Sequence, residues 1–265
     1  MSEMNFVTVG GITLHYTREG ATAAVPLLFI NSLGTDLRIW DELVSKFAGR
    51  FPVIRYDKRG HGLSDCPPGP YSIHDHTNDL INLLTYLKVE PVILIGISVG
   101  GMIALDLAIR QPERVRALVL SDTAAQIGTA AYWNERIDAI EANGMNHLAP
   151  LILSRWFAPD FAARHPADYQ GYFNMLTRMP VAGYTGTCAA VRDADLRQQA
   201  ATLQAKTLVL CGAEDSATPP DLVRGLADTL PNGRFEVIEK AGHLPCIEQP
   251  AALAAEIDRF LREIL

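Results

Sequence analysis

The chain has 265 residues, with 48% hydrophobic and 20% charged side chains, which excludes collagen-like, coiled-coil and disordered classes. That length buries a large core, as one α/β unit with an insertion or as two small domains. Against 30 acidic side chains stand 23 Lys and Arg, for a formal charge of −7, so neither nucleic acid nor an anionic membrane is an expected partner, although a local cation can still hold a small anion.

In chain order, NFVTV and ITLHYTR flank Gly10-Gly11, the signal of an antiparallel hairpin. PLLFIN reads as a buried strand, LRIWDELVSKFA (37–48) as one helix and PVIRYD (52–57) as a strand. After the loop RGHGLSDCPPGP, Leu80, Leu83, Leu84 and Leu87 mark a helix. VILIGI, GGMIALDLAIRQ and VRALVLS then read as strand, helix and strand. Residues 92–109 imitate a membrane span in length, but Gly96, Gly100, Gly101 and Asp106 fit a buried strand and helix better. The rhythm returns with TLVLCG (strand), PDLVRGLADTL (helix), RFEVIE (strand) and PAALAAEIDRFLREIL (helix).

This alternation predicts a mostly parallel central sheet with the N-terminal hairpin at one edge and helices on both faces. Between Asp122 and Asp195 it breaks. That stretch is too long for a plain loop and holds Trp133 and Trp156, so residues 122–195 are expected to form a helical cap over a core of residues 1–121 and 196–265. Cys66, Cys188, Cys211 and Cys246 form no CxxC pair and are read as mostly strand-adjacent thiols of a reducing, cytoplasmic compartment. The N-terminus has no basic and apolar leader pattern, so no signal peptide is expected.

Gly96-Ile97-Ser98-Val99-Gly100 matches G-x-S-x-G between a strand and a helix, the context that exposes a nucleophilic hydroxyl. A hydroxyl needs a base, and of seven histidines His243 alone follows the last strand, at the sheet end where such folds place ligands. His61 reads as a turn organiser. His74 and His76 point to different faces of a helix start, so no metal site is expected. The orienting acid is Asp215, directly after TLVLCG, with Asp122 after VRALVLS as a rival and Glu214 a solvated neighbour. Two backbone donors should form an oxyanion hole: the N–H of Val99 and that of Leu33 in the Asn31-Ser32-Leu33-Gly34 loop. Trp133 with Arg136, three residues apart, or with Arg155, beside Trp156, are candidates for gripping a carboxylate, and which arginine serves stays open. Lys58 and Arg59 are expected to organise their own loop.

The order Ser98, Asp215, His243, with these motifs, resembles the α/β-hydrolase superfamily over essentially the whole chain. Within it, NSLGTDLRIWD, RYDKRGHGLSD, GISVGGMIA, YWNERI, GYTGTCAAVRDADL and TPPD are similar to the 3-oxoadipate enol-lactonases of aromatic catabolism. Many relatives carry His-Gly where this chain has Asn31-Ser32. Cofactor-free perhydrolases share the core motifs, so the cap segments carry the distinction. The resemblance implies a Ser-His-Asp acyl-enzyme mechanism on a small anionic lactone, with no cofactor. A generalist esterase or perhydrolase, a non-catalytic receptor on the same fold, and a homo-oligomer all remain open from sequence.

Overall fold

The computed structural model describes residues 4–20 and 24–265. The absence of a leader, expected from a stretch that begins at residue 1, therefore falls partly outside the described residues, as do residues 21–23 of the expected core.

Strands β1 (Asn5–Val9), β2 (Ile12–Gly20), β3 (Leu27–Ile30), β4 (Pro52–Tyr56), β5 (Val92–Ile97), β6 (Val115–Ser121), β7 (Thr207–Gly212) and β8 (Gly233–Ile238) form one sheet in the order β1-β2-β4-β3-β5-β6-β7-β8. The hairpin pairs Val9 with Ile12 across Gly10-Gly11, whose φ values of 59° and 86° suit a tight two-residue turn. β2 also meets β4 antiparallel, and every later pairing is parallel. β3, β5 and β7 are buried at every residue, which is why they read as unbroken apolar runs rather than alternating ones.

The helices are α1 (Asp41–Phe47), α2 (Ile73–Leu87), α3 (Val99–Arg110), α4 (Ala130–Asn143), α5 (Met145–Trp156), α6 (Phe161–Arg164), α7 (Pro166–Thr177), α8 (Val181–Asp193), α9 (Arg197–Ala200), α10 (Pro220–Thr229), α11 (Pro245–Glu248) and α12 (Pro250–Ile264). α2 starts at a capping box in which Ser72 and Asp75 satisfy each other's backbone donors. α12 turns Leu253, Ile257, Phe260, Leu261 and Ile264 inward at helical spacing. The stretch imitating a membrane span is β5 followed by α3, and among the described residues no helix is long and apolar enough to cross a membrane.

Two expectations need correction. The single helix over 37–48 is a 3-10 turn, Leu37–Trp40, followed by α1, because Asp36 caps the turn through the Arg38 N–H at 3.0 Å. The cysteines are not mostly on or beside strands. Cys211 lies on β7, but Cys188 sits in α8, Cys246 in α11 and Cys66 in a loop, and all four are free thiols. Between β6 and β7 the chain makes the helices α4 to α9, the last of them beyond Asp195. α8 presses on the β4–α2 loop so closely that a Cβ added at Gly183 would lie 2.1 Å from the Gly60 carbonyl oxygen.

Candidate active site

Ser98 is the single residue between β5 and α3, with φ 57° and ψ −124°. That strained backbone lifts its side chain out of the strand-to-helix turn. The turn closes only because of its glycines. A Cβ at Gly96 would meet the Gly100 carbonyl oxygen at 2.3 Å, and one at Gly100 would meet that of Ile30 at 2.2 Å. The turn is fastened to β6 and its following loop: the Ser98 N–H donates to Ser121 at 3.0 Å, and the Thr123 hydroxyl donates to the Ser98 carbonyl at 2.7 Å.

His243 follows β8 and Asp215 follows β7, and both side chains are buried. The His243 Nδ1 stands 2.8 Å from Asp215 Oδ2. Asp215 Oδ1 accepts the backbone N–H groups of Ala217 (2.7 Å) and Thr218 (3.0 Å), and Oδ2 accepts the Thr218 hydroxyl at 2.6 Å. Burial alone would raise the Asp215 pKa, but the adjacent His243 and these hydrogen bonds hold it below the usual carboxylate range. With Nδ1 committed to Asp215, Nε2 is the nitrogen left to exchange a proton. Ser98 and His243 line the same cavity.

Asp122, the rival acid, is fully buried at the end of β6. Its Oδ1 accepts the Gly212 N–H at 2.8 Å, and its other oxygen meets the Ser121 hydroxyl. Of the two acids it is Asp215 that pairs with the His243 ring, where the Thr218 hydroxyl also lies 3.2 Å from Nδ1. Burial and the nearby Asp215 charge push the Asp122 pKa well above the usual range. Asp122, Cys211 and Asp215 also form the one tight group of metal-binding side chains among the described residues. Burial pushes the pKa of the Cys211 thiol up.

The loop after β3 contributes Ser32 and Leu33 to the cavity wall. Asn31 braces it from inside through the Thr35 carbonyl. The Leu33 N–H has no acceptor among the described residues, and Val99 is the first residue of α3, whose N–H no helical turn satisfies. Buried His61 is more than a turn organiser. Its Nε2 accepts the Gly34 N–H at 3.2 Å while Nδ1 faces the Arg59 carbonyl at 3.0 Å. Burial, and then the charge of Lys58, hold its pKa well below 6.5, so the ring stays neutral and able to accept. Arg59 ties its loop to Asp79 on α2 at 2.6 and 2.7 Å. The Lys58 carbonyl accepts the His61 N–H at 3.0 Å within its own loop, but its side chain leaves that loop. Its Nζ crosses to the Ser32 carbonyl at 2.6 Å.

The cavity holds about 260 Å³, and its opposite wall comes from α4, α5 and α8. Trp133, Arg136 and Arg155 all line it. The Trp133 ring nitrogen donates to the Ile127 carbonyl at 2.6 Å, which fixes the indole. The Arg136 guanidinium lies 5.5 Å from the Trp133 ring centre, 5.7 Å from that of Tyr132 and 5.9 Å from that of Tyr184. Among the described residues no carboxylate pairs with it. Arg155 is instead engaged by the Tyr132 hydroxyl at 2.7 Å and the Ser216 carbonyl at 3.1 Å. Sequence reading missed Thr218, although a Thr three residues after an Asp is a recognisable turn signal, and it missed Tyr132 and Tyr184. A second His-Asp pair, His15 and Asp57 at 2.7 Å, serves structure: Asp57 also accepts the Leu37 and Leu63 N–H groups.

A sequence profile described as the alpha/beta hydrolase fold matches residues 25–250. The chain is 33% identical over 256 residues to 3-oxoadipate enol-lactonase 2 of Acinetobacter baylyi, covering 97% of this chain and 96% of that protein. It is 33% identical over 267 residues to 3-oxoadipate enol-lactonase 1 of the same organism, covering all of both. The crystal structure of the enol-lactonase from Burkholderia xenovorans LB400 superposes with a TM-score of 0.95 at 34% identity, covering 97% of this chain and 100% of that one.

Proposed function

The chain belongs to the alpha/beta hydrolase fold family and is a hydrolase, and from that premise we propose that it opens the ring of 3-oxoadipate enol-lactone to give 3-oxoadipate. Ser98 Oγ attacks the lactone carbonyl while His243 Nε2 takes its proton. The negative oxygen that forms is held by the Leu33 and Val99 N–H groups. Collapse breaks the ring C–O bond. The departing enolate oxygen takes the proton from His243, and the enol tautomerises to the ketone, which draws the ring opening forward. Water then attacks the acyl group on Ser98, giving its proton to His243, and that proton returns to Ser98 as the acid leaves. Asp215 keeps the imidazole in the tautomer that presents Nε2 and stabilises its charged form. Residues 122–195 serve as the cap that closes the cavity, and the four free thiols suit a cytoplasmic enzyme.

The observation that carries the substrate assignment is Arg136, a cation without a carboxylate partner among the described residues, on the cavity wall opposite Ser98. An unpaired guanidinium there favours an anionic substrate by a charge-assisted hydrogen bond. It is the better of the two arginines for this role, because Arg155 already spends donors on Tyr132 and Ser216. The test compares kcat/KM on the enol-lactone and on a neutral aryl ester. A strong preference for the lactone is expected, and a preference for the neutral ester would leave an ester hydrolase without this substrate.

A further inference from the structure

A lysine is rarely buried without a carboxylate on its ammonium, because desolvating the charge is costly. Lys58 is 1% exposed, and its Nζ donates to the Ser32 carbonyl at 2.6 Å. That carbonyl also accepts the Thr35 hydroxyl at 3.0 Å and the Thr35 N–H at 3.4 Å. The peptide unit concerned is Ser32–Leu33, and the N–H at its other end is that of Leu33. Because an amide is a single conjugated unit, a cation on its oxygen draws electron density from its nitrogen and makes the N–H a stronger donor.

We propose that Lys58 is a positioning residue of the oxyanion hole, fixing the Ser32–Leu33 peptide and polarising the Leu33 N–H toward the developing negative oxygen. The inference rests on the role given above to Leu33. It explains why the lysine is kept inside: its charge acts through one peptide on a group that matters only when negative charge appears, so it stabilises the transition state more than the ground state. Burial pushes the Lys58 pKa down to about 7, against the opposing pull of Asp57 and Asp36. The other titratable groups around it are His61 of its own loop and His76 of α2, both held neutral by burial, and Arg59. Below about pH 7 Lys58 is therefore charged and polarising, and above it the charge fades.

The experiment measures kcat, KM and product affinity for the native protein and for Lys58→Met between pH 6 and 9, with circular dichroism to check folding. Lys58→Met is expected to lower kcat about tenfold at pH 6, less than the loss of a whole oxyanion donor. KM and 3-oxoadipate affinity should stay within about twofold, because ground-state contacts are untouched. The deficit should shrink as the pH rises and the native protein loses the same charge. Should the methionine variant fail to fold, Lys58→Gln, which keeps an N–H donor without charge, is read the same way. Native kcat in the variant overturns the proposal, as does a loss of equal size at every pH or one shared by product affinity. Ser98→Ala runs alongside. If turnover survives there, the reading of the site fails and takes this inference with it. If Ser98→Ala is inactive while Lys58→Met keeps native kcat, only the inference about Lys58 fails.

Discussion

On the sheet side of the cavity the polar groups are held by fixed partners: Asp215 by Ala217, Thr218 and His243, the Ser98 backbone by Ser121 and Thr123, and the Ser32 carbonyl by Lys58. On the helical side the positive charge of Arg136 faces three aromatic rings and no counter-ion among the described residues. The side chains of one wall are fixed by partners within the protein, and the other wall carries a positive charge that an anionic substrate would pair. A reaction that runs through proton transfer needs the first arrangement, since preorganised dipoles cost no rearrangement at the moment of reaction. Selection of an anion needs the second.

Breaking each wall in turn should give different kinetic signatures. On the sheet side, Ser98→Ala should lower kcat on the lactone by roughly 10⁴ or more, with 3-oxoadipate still bound at near-native affinity in a titration. On the helical side, Arg136→Met should raise KM for the acidic lactone by about 10- to 100-fold, the worth of a charge-assisted hydrogen bond, while kcat/KM on a neutral aryl ester changes little. If Arg136→Met cut both substrates equally, the contrast between the walls would be false.

Acid should weaken the supports of both walls together. His61 holds the loop after β3 through the Gly34 N–H, and His76 on α2 meets Thr187 on α8 at 3.3 Å. Burial holds both pKa values well below 6.5, so in the folded protein these two rings stay uncharged where the unfolded chain takes up protons. The stability they confer is complete above the unfolded pKa and is lost as the pH falls below it. At pH 5.5 the loss is on the order of 1 kcal/mol for each histidine. Urea midpoints at pH 7.5 and 5.5 should show the drop, and His76→Phe should remove about half of it. The smallest effect expected is that of Gly183→Ala, which forces α8 off the Gly60 backbone and should cost about 1–2 kcal/mol in the same assay. A neutral result there would mean that the helical wall rests loosely on the core.

The sequence disclosed what local physics determines. Ser98 was legible because a strained strand-to-helix turn demands glycine at positions 96 and 100, and both demands lie within five residues. His243 and Asp215 were legible because strands end where their apolar runs end. The last two residues of β2 were not, since Glu19 and Gly20 are extended only by pairing with Val53 and Pro52 of β4. The partner of Lys58 was hidden, and Arg136 could not be told from Arg155, for a related reason. What matters for each is the company it keeps in space, the Ser32 carbonyl for one and the missing carboxylate for the other. No spacing rule encodes that.

The contact of Gly60 with Gly183, with the Tyr71 N–H donating to the Gly186 carbonyl at 3.2 Å, makes α8 the keel of the roof. Its backbone is moored to the floor there without intervening side chains. The same mooring marks a seam for protein engineers. Grafting new walls onto α4 and α5 would retune what the chamber admits and leave the keel in place.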